Sequence, residues 1–168
     1  MHCGLFWTKK SNTLGVAAEN VALVMYDLAT NYVAFYADAE KYGINSMHAF
    51  NHFAGPEPRK KIKSFRSDNA KEILWSAKQL GICHITSTPE RSQTNAKAER
   101  KVRHVFEGSR CLLFQSSLPL CFWNFAGEHF CHAENIRRHV GDDNYAQRMG
   151  TADRNRVRWI RNSFRGCN

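Results

Sequence analysis

Apolar residues in this chain fall first in an unbroken run and then at helical spacing. Val21-Ala22-Leu23-Val24-Met25-Tyr26 is continuous, the mark of a strand buried on both faces. Asp27-Leu28-Ala29-Thr30-Asn31 follows as a turn, with Asp and Asn as turn formers. Tyr32-Val33-Ala34-Phe35-Tyr36 is rich in β-forming types and predicts a second strand. The pair reads as an antiparallel hairpin. Upstream, residues 1–19 show no clear period: Leu5-Phe6-Trp7 suits part of a strand, and Thr8 to Gly15 a polar loop.

Helical spacing takes over at Glu40. Ile44, Met47, Phe50 and Ala54 share one face, Gly43 weakens the start, and Gly55-Pro56-Glu57-Pro58 stops the helix. A basic stretch, Arg59 to Arg66, leads into a strand ending at Asp68. Ala70, Ile73, Leu74, Ala77 and Leu80 then repeat at three and four, and Gly81 is placed as a C-cap. Ile82 to Thr86 returns to the sheet, so strand, helix and strand close as a right-handed parallel crossover. A long helix is predicted from Thr94, bent or loosened at Gly108, with Ala98, Val102, Val105, Ser109 and Leu112 as its packed stripe. Ser116 or Ser117 with Pro119 opens the last helix, which is packed through Leu120, Trp123, Ala126 and Phe130. Beyond Ile136 the period disappears. These patterns divide the chain into residues 1–19, the remnant of a first strand and its loop; 20–136, a core domain; and 137–168, a loosely ordered basic tail. That tail reads equally as a nucleic-acid-binding arm and as the product of a disturbed reading frame.

Composition agrees with one packed domain. The chain has 168 residues, 43% of them apolar, with 11 Phe to fill a core. A net charge of +9 points to a polyanionic partner, nucleic acid first. No apolar run approaches the roughly 20 residues of a membrane span. The six cysteines form no CxxC pair, which suits reduced thiols. Cys121, His129, Cys131 and His132 raise the question of zinc, but their spacing fits no common structural site.

The chemistry concentrates between Ile62 and Arg100. The pieces are Ser67-Asp68-Asn69, then Gly81-Ile82-Cys83-His84, then Ser87-Thr88-Pro89 through Gln93-Thr94-Asn95 to Ala98-Glu99-Arg100. In this order and spacing they resemble the catalytic core of retroelement integrases, the DDE group, and most nearly that of copia-type retrotransposons. The resemblance covers residues 20–136. It implies an α/β fold of the ribonuclease-H-like class, a mixed sheet flanked by helices, with the N-terminal strand incomplete. It implies DNA integration by polynucleotidyl transfer, with two Mg²⁺ or Mn²⁺ ions held by three carboxylates. DNA is the expected partner, a homo-oligomer is left open, no membrane is involved, and an active integrase would be expected in the nucleus. Ala70 and Ala96 stand where the family usually has Gly.

By that resemblance Asp68 is the second carboxylate and Glu99 the third. Read without it, Asp68 would cap the helix that follows, and Glu99 would pair with Arg103 one turn on. The first carboxylate has no clear holder. Residues 1–26 contain no Asp, and their only acid is Glu19. Asp27 is the nearest substitute, but its surroundings match a turn in which Asp caps through its own side chain. The resemblance therefore leads to a core that is weak or inactive alone because its first catalytic Asp is missing. The competing reading is a noncatalytic nucleic-acid-binding remnant of a mobile element; a hydrolytic nuclease of the same fold is a third. DNA contact is expected from Arg91, Lys97, Arg100, Lys101 and Arg103, which meet phosphates and carry little sequence information.

Overall fold

The computed structural model describes residues 2–7, 13–55, 57–67, 70–86 and 92–137, with side chains throughout except at 2–7, 86 and 92–98. Asp68, Asn69, Arg91 and the tail from 138 onward lie outside the described residues. The elements run β1 (His2–Trp7), β2 (Val21–Asp27), β3 (Val33–Asp38), α1 (Gly43–Ala54), α2 (Pro58–Lys61), β4 (Ser64–Ser67), α3 (Lys71–Leu80), β5 (His84–Thr86), α4 (Ser92–Ser116) and α5 (Trp123–Ile136), the last preceded by a 3-10 turn at Leu120–Phe122.

The strands form one mixed sheet in the order β3-β2-β1-β4-β5. The hairpin expected from the apolar run is present: β2 and β3 pair antiparallel, Val24 opposite Phe35. The crossover is present too, with β4 and β5 parallel and Phe65 opposite His84. Leu5 to Trp7, read as part of a strand, extend back to His2. This strand β1 lies at the centre of the sheet, antiparallel to β2 and parallel to β4.

Side chains alternate between the two faces of a strand, and this divides the core in two. Leu23, Met25 and Phe65 face α1 and α3, joining Phe50, Phe53, Ile73 and Ala77. Phe50 meets Phe65 edge-on at 5.0 Å. Ala22, Val24, Val33 and Phe35 face the opposite way, with Val105 of α4 and Cys131 of α5. Burying each of the large side chains contributes about 1.5–3 kcal/mol, so both faces anchor the sheet.

The helices depart from expectation in three places. In α1 the buried set is Ser46, Ala49, Phe50, Phe53 and Ala54, while Ile44 is 44% exposed. The helix is therefore turned from the expected face. Its small residues lie inward, and a Cβ on Gly43 would come within 2.5 Å of the Trp75 ring of α3. The basic stretch before β4 contains a helical turn, α2, started by Pro58. The long helix α4 is continuous through Gly108. A Cβ there would lie 2.0 Å from Phe130 of α5, so this glycine permits close helix packing and is not a loosened point. Gly81 caps α3 as expected, in the left-handed conformation at φ 63°.

Candidate functional site

The functional question centres on the end of β4, because Asp68 follows its last residue. Ser67 is fully buried there, and its Oγ shares a hydrogen bond of 2.8 Å with His84 Nε2. The His84 ring also stacks on Phe65 at 4.6 Å. The crossover thus closes with β4 and β5 tied by side chains as well as backbone. On the other side of β4 lies β1, with Gly4 in register with Arg66 and Leu5 with Ser67.

Glu99 projects from α4 and is exposed. Helix α4 covers the sheet face to which Gly4, Arg66 and Tyr26 belong: Gly4 registers with Tyr26 on β2, and Lys101 Nζ stands 5.6 Å from the centroid of the Tyr26 ring. Residues in register across strands share a face. Helix α4 therefore lies on the side of the sheet to which Arg66 of β4 belongs.

Asp27 is on the other side. It registers with Cys3, which registers with Phe65 of the α1–α3 core. Its carboxylate is only 1% exposed. One oxygen accepts from the Ala29 amide at 3.2 Å and the other from Thr30 Oγ1 at 2.7 Å. Both oxygens are engaged in holding the turn between β2 and β3, which is the capping arrangement rather than a metal ligand's.

The expected DNA-contacting cations differ in their surroundings. Arg100 and Arg103 are exposed on α4. Lys97 is on the same helix with its side chain outside the described set, and Arg91 is outside it altogether. Lys101 is turned inward: besides Tyr26 it meets Glu134 of α5 at 3.4 Å, with the lysine side chain 20% exposed and the glutamate 10%. His104 Nε2 donates to the same Glu134 oxygen at 3.0 Å, and Arg137 lies 3.9 Å from the other oxygen. Burial pushes the Glu134 carboxyl upward, but the His104 hydrogen bond and the charges of Lys101 and His104 outweigh it, holding the carboxyl below its ordinary pKa. The sequence reading missed Glu134 and His104. Their only local signal was Glu134 three residues before Arg137.

Among the described residues no group of three His, Cys, Asp or Glu could hold a metal ion. Cys121, His129, Cys131 and His132 all lie in this described part, and Cys131 is buried against the sheet. Burial pushes its thiol well above the ordinary range, as for a packing residue. For a two-metal carboxylate centre the described donor set does not fit: β1 contains no acid, and Asp27 is engaged on the opposite face.

No family model matches the chain. In sequence it is similar to the retrovirus-related Pol polyprotein from transposon TNT 1-94 of Nicotiana tabacum, 33% identical in an alignment of 84 residues that covers 47% of this chain. In structure it is similar to the catalytic core domain of BIV integrase, with a TM-score of 0.63 and 16% identity over 89% of this chain and 94% of that one. The chain has the fold of an integrase catalytic core. Its mixed sheet and flanking helices have the ribonuclease-H-like fold, and a copia-type origin agrees with the plant relative. The chain spans only about 6% of the length of that Pol polyprotein. No helix among its described residues is long and apolar enough to cross a membrane.

Proposed function

We propose that this integrase-like core binds DNA through the outer face of α4 and does not join DNA strands by itself. The observation that carries the second half is β1. It is the strand beside β4 on the face α4 covers, yet its six residues, His2–Trp7, include no acid. Asp68 and Glu99 are then the two carboxylates left to a centre that takes three in the family. Divalent ions, when bound in such a centre, activate the attacking oxygen and stabilise the leaving one. Two ligands hold and position them poorly, so the core keeps the framework of polynucleotidyl transfer without its full donor set.

Binding asks less of the site. Arg100 and Arg103 are exposed on the helix that carries Glu99, and a net charge of +9 draws the chain toward phosphate. Such contacts survive loss of a metal ligand, because they need charge and reach rather than coordination geometry. DNA is accordingly the proposed partner, bound without sequence preference. The name of the structural relative, an integrase, supports the same partner.

A strand-joining assay with a labelled donor end, target DNA and Mg²⁺ or Mn²⁺ tests this reading. The expected result is no joined product above background. Joining by the purified chain that disappears on Asp68→Asn would overturn it.

A further inference from the structure

We infer that Glu19, Asn124 and Glu128 form a site for a hard divalent cation, Ca²⁺ before Mg²⁺, which ties the loop before β2 to α5. The proposed DNA contacts use none of these residues, so the inference stands apart from them.

The loop before β2 folds around the Glu19 side chain. The Gly15 N–H donates to the Glu19 carbonyl at 2.7 Å, and the Ala17 N–H donates to Glu19 Oε2 at 2.8 Å. The carboxylate is thus held in one place, turned toward α5, where Asn124 Nδ2 donates to its Oε1 at 2.6 Å. That bond also fixes the other end of the Asn124 amide, Oδ1, beside the carboxylate. Asn124 is only 4% exposed, and its Oδ1 has no hydrogen-bond partner among the described residues. A buried acceptor left unpaired is uncommon in folded proteins and calls for a partner. An amide oxygen is also a ligand that Ca²⁺ accepts.

Glu128 supplies the third donor. It lies one turn beyond Asn124 on α5, at the i,i+4 spacing that brings side chains together. Among the described residues neither Glu19 nor Glu128 has an ion-pair partner. They feel each other instead: Glu128 is open to solvent on one side, yet burial and then the Glu19 charge push its carboxyl above the ordinary pKa. One cation relieves both strains, the two like charges and the unpaired oxygen, which a neutral ligand does not. Three oxygen donors suit a hard cation rather than the metals that seek thiolate or imidazole. Glu19 is already held by two hydrogen bonds and is not free to complete a strict octahedron. Ca²⁺ tolerates an irregular shell filled out by water, whereas Mg²⁺ demands near-ideal geometry.

Calorimetric titration of the full chain with CaCl₂ at constant ionic strength tests the inference. The expected result is one site with a dissociation constant of about 0.1–1 mM, the weak end for a site with few charged ligands. Glu128→Gln, at an exposed position, should weaken binding at least about tenfold, and Glu19→Gln should do the same. Glu99→Gln should leave the affinity unchanged, which separates this site from the acids of α4. Asn124→Asp exchanges the amide for a third carboxylate: it should melt below the natural chain in EDTA and regain the difference in CaCl₂. Absence of a saturable Ca²⁺ signal in the natural chain overturns the inference. So does binding that Glu128→Gln leaves intact or that Glu99→Gln abolishes, and so does an Asn124→Asp chain whose melting temperature ignores Ca²⁺.

Discussion

Asn135 of α5 holds Val33 of β3 by both ends of its amide: Oδ1 accepts from the Val33 N–H at 2.9 Å, and Nδ2 donates to the Val33 carbonyl at 2.7 Å. Strand β3 is one edge of the sheet, where outward backbone groups need partners. The amide acts as a one-residue substitute for a further strand, and it is buried. Asn135→Ala removes two hydrogen bonds and leaves a buried N–H and C=O unpaired, a loss of about 2–4 kcal/mol. Urea unfolding should show a lower midpoint with unchanged slope. An unchanged midpoint would mean the contact is not formed in solution.

Gly108 offers a test whose sign separates two accounts of α4. In an exposed or loosened helix, Gly→Ala stabilises by about 1 kcal/mol. Here the new methyl would meet the Phe130 ring, and overpacking costs about 1–3 kcal/mol. Gly108→Ala should therefore lower the melting temperature, and Phe130→Leu in the same chain should return part of the loss. A higher melting temperature for the single variant would show α5 standing farther from α4.

Glu134 makes stability depend on pH in the acid range. Its folded pKa lies below the ordinary value of 4.5, with burial opposing and His104 and Lys101 prevailing. A group lowered in the folded state stabilises above its unfolded pKa, and that contribution is lost as pH falls through the folded value. Glu134→Gln should reduce stability at neutral pH and flatten the fall below about pH 4.5. Urea midpoints across an acid pH series measure this; an equally steep fall in the variant would remove Glu134 as its source.

The α4 cations should separate into two classes. Duplex DNA affinity is expected to fall log-linearly with salt, with a slope of about −0.9 for each phosphate neutralised. Arg100→Ala and Arg103→Ala should each shallow that slope. Lys101→Ala should leave the slope alone and lower the melting temperature, because its charge is engaged with Glu134 and Tyr26. Fluorescence anisotropy at a series of salt concentrations checks both, and a flat salt response would reject DNA binding by this helix.

Much of the fold was legible because it follows from local rules. The run Val21 to Tyr26 needed burial on both faces and became a strand between two others. Gly81 is where a left-handed residue ends α3. The facing of α1 was not legible, since it depends on which residues let a second helix approach. Apolarity selected Ile44 and Met47, whereas Gly43 lies against the Trp75 ring and Ser46 and Ala49 turn inward. The site divides in the same way. Asp27 was readable as a turn cap from Asp, Thr and Asn within five residues. Lys101 looked like one more surface cation, because its partner Glu134 belongs to another helix and leaves no periodic trace.

The proposed function requires positions 68 and 99 to stand together on one side of the sheet, away from α1. Cysteines placed there in pairs, Asp68→Cys with Glu99→Cys, in a chain whose native thiols are replaced, measure this directly with a short bismaleimide cross-linker. The control pair is Ile44→Cys with Glu99→Cys, since Ile44 lies exposed on the opposite layer. The expected result is efficient 68–99 cross-linking in the folded chain, abolished by urea, with little 44–99 product. A folded chain that gives no 68–99 product, or as much 44–99 product, would contradict the account.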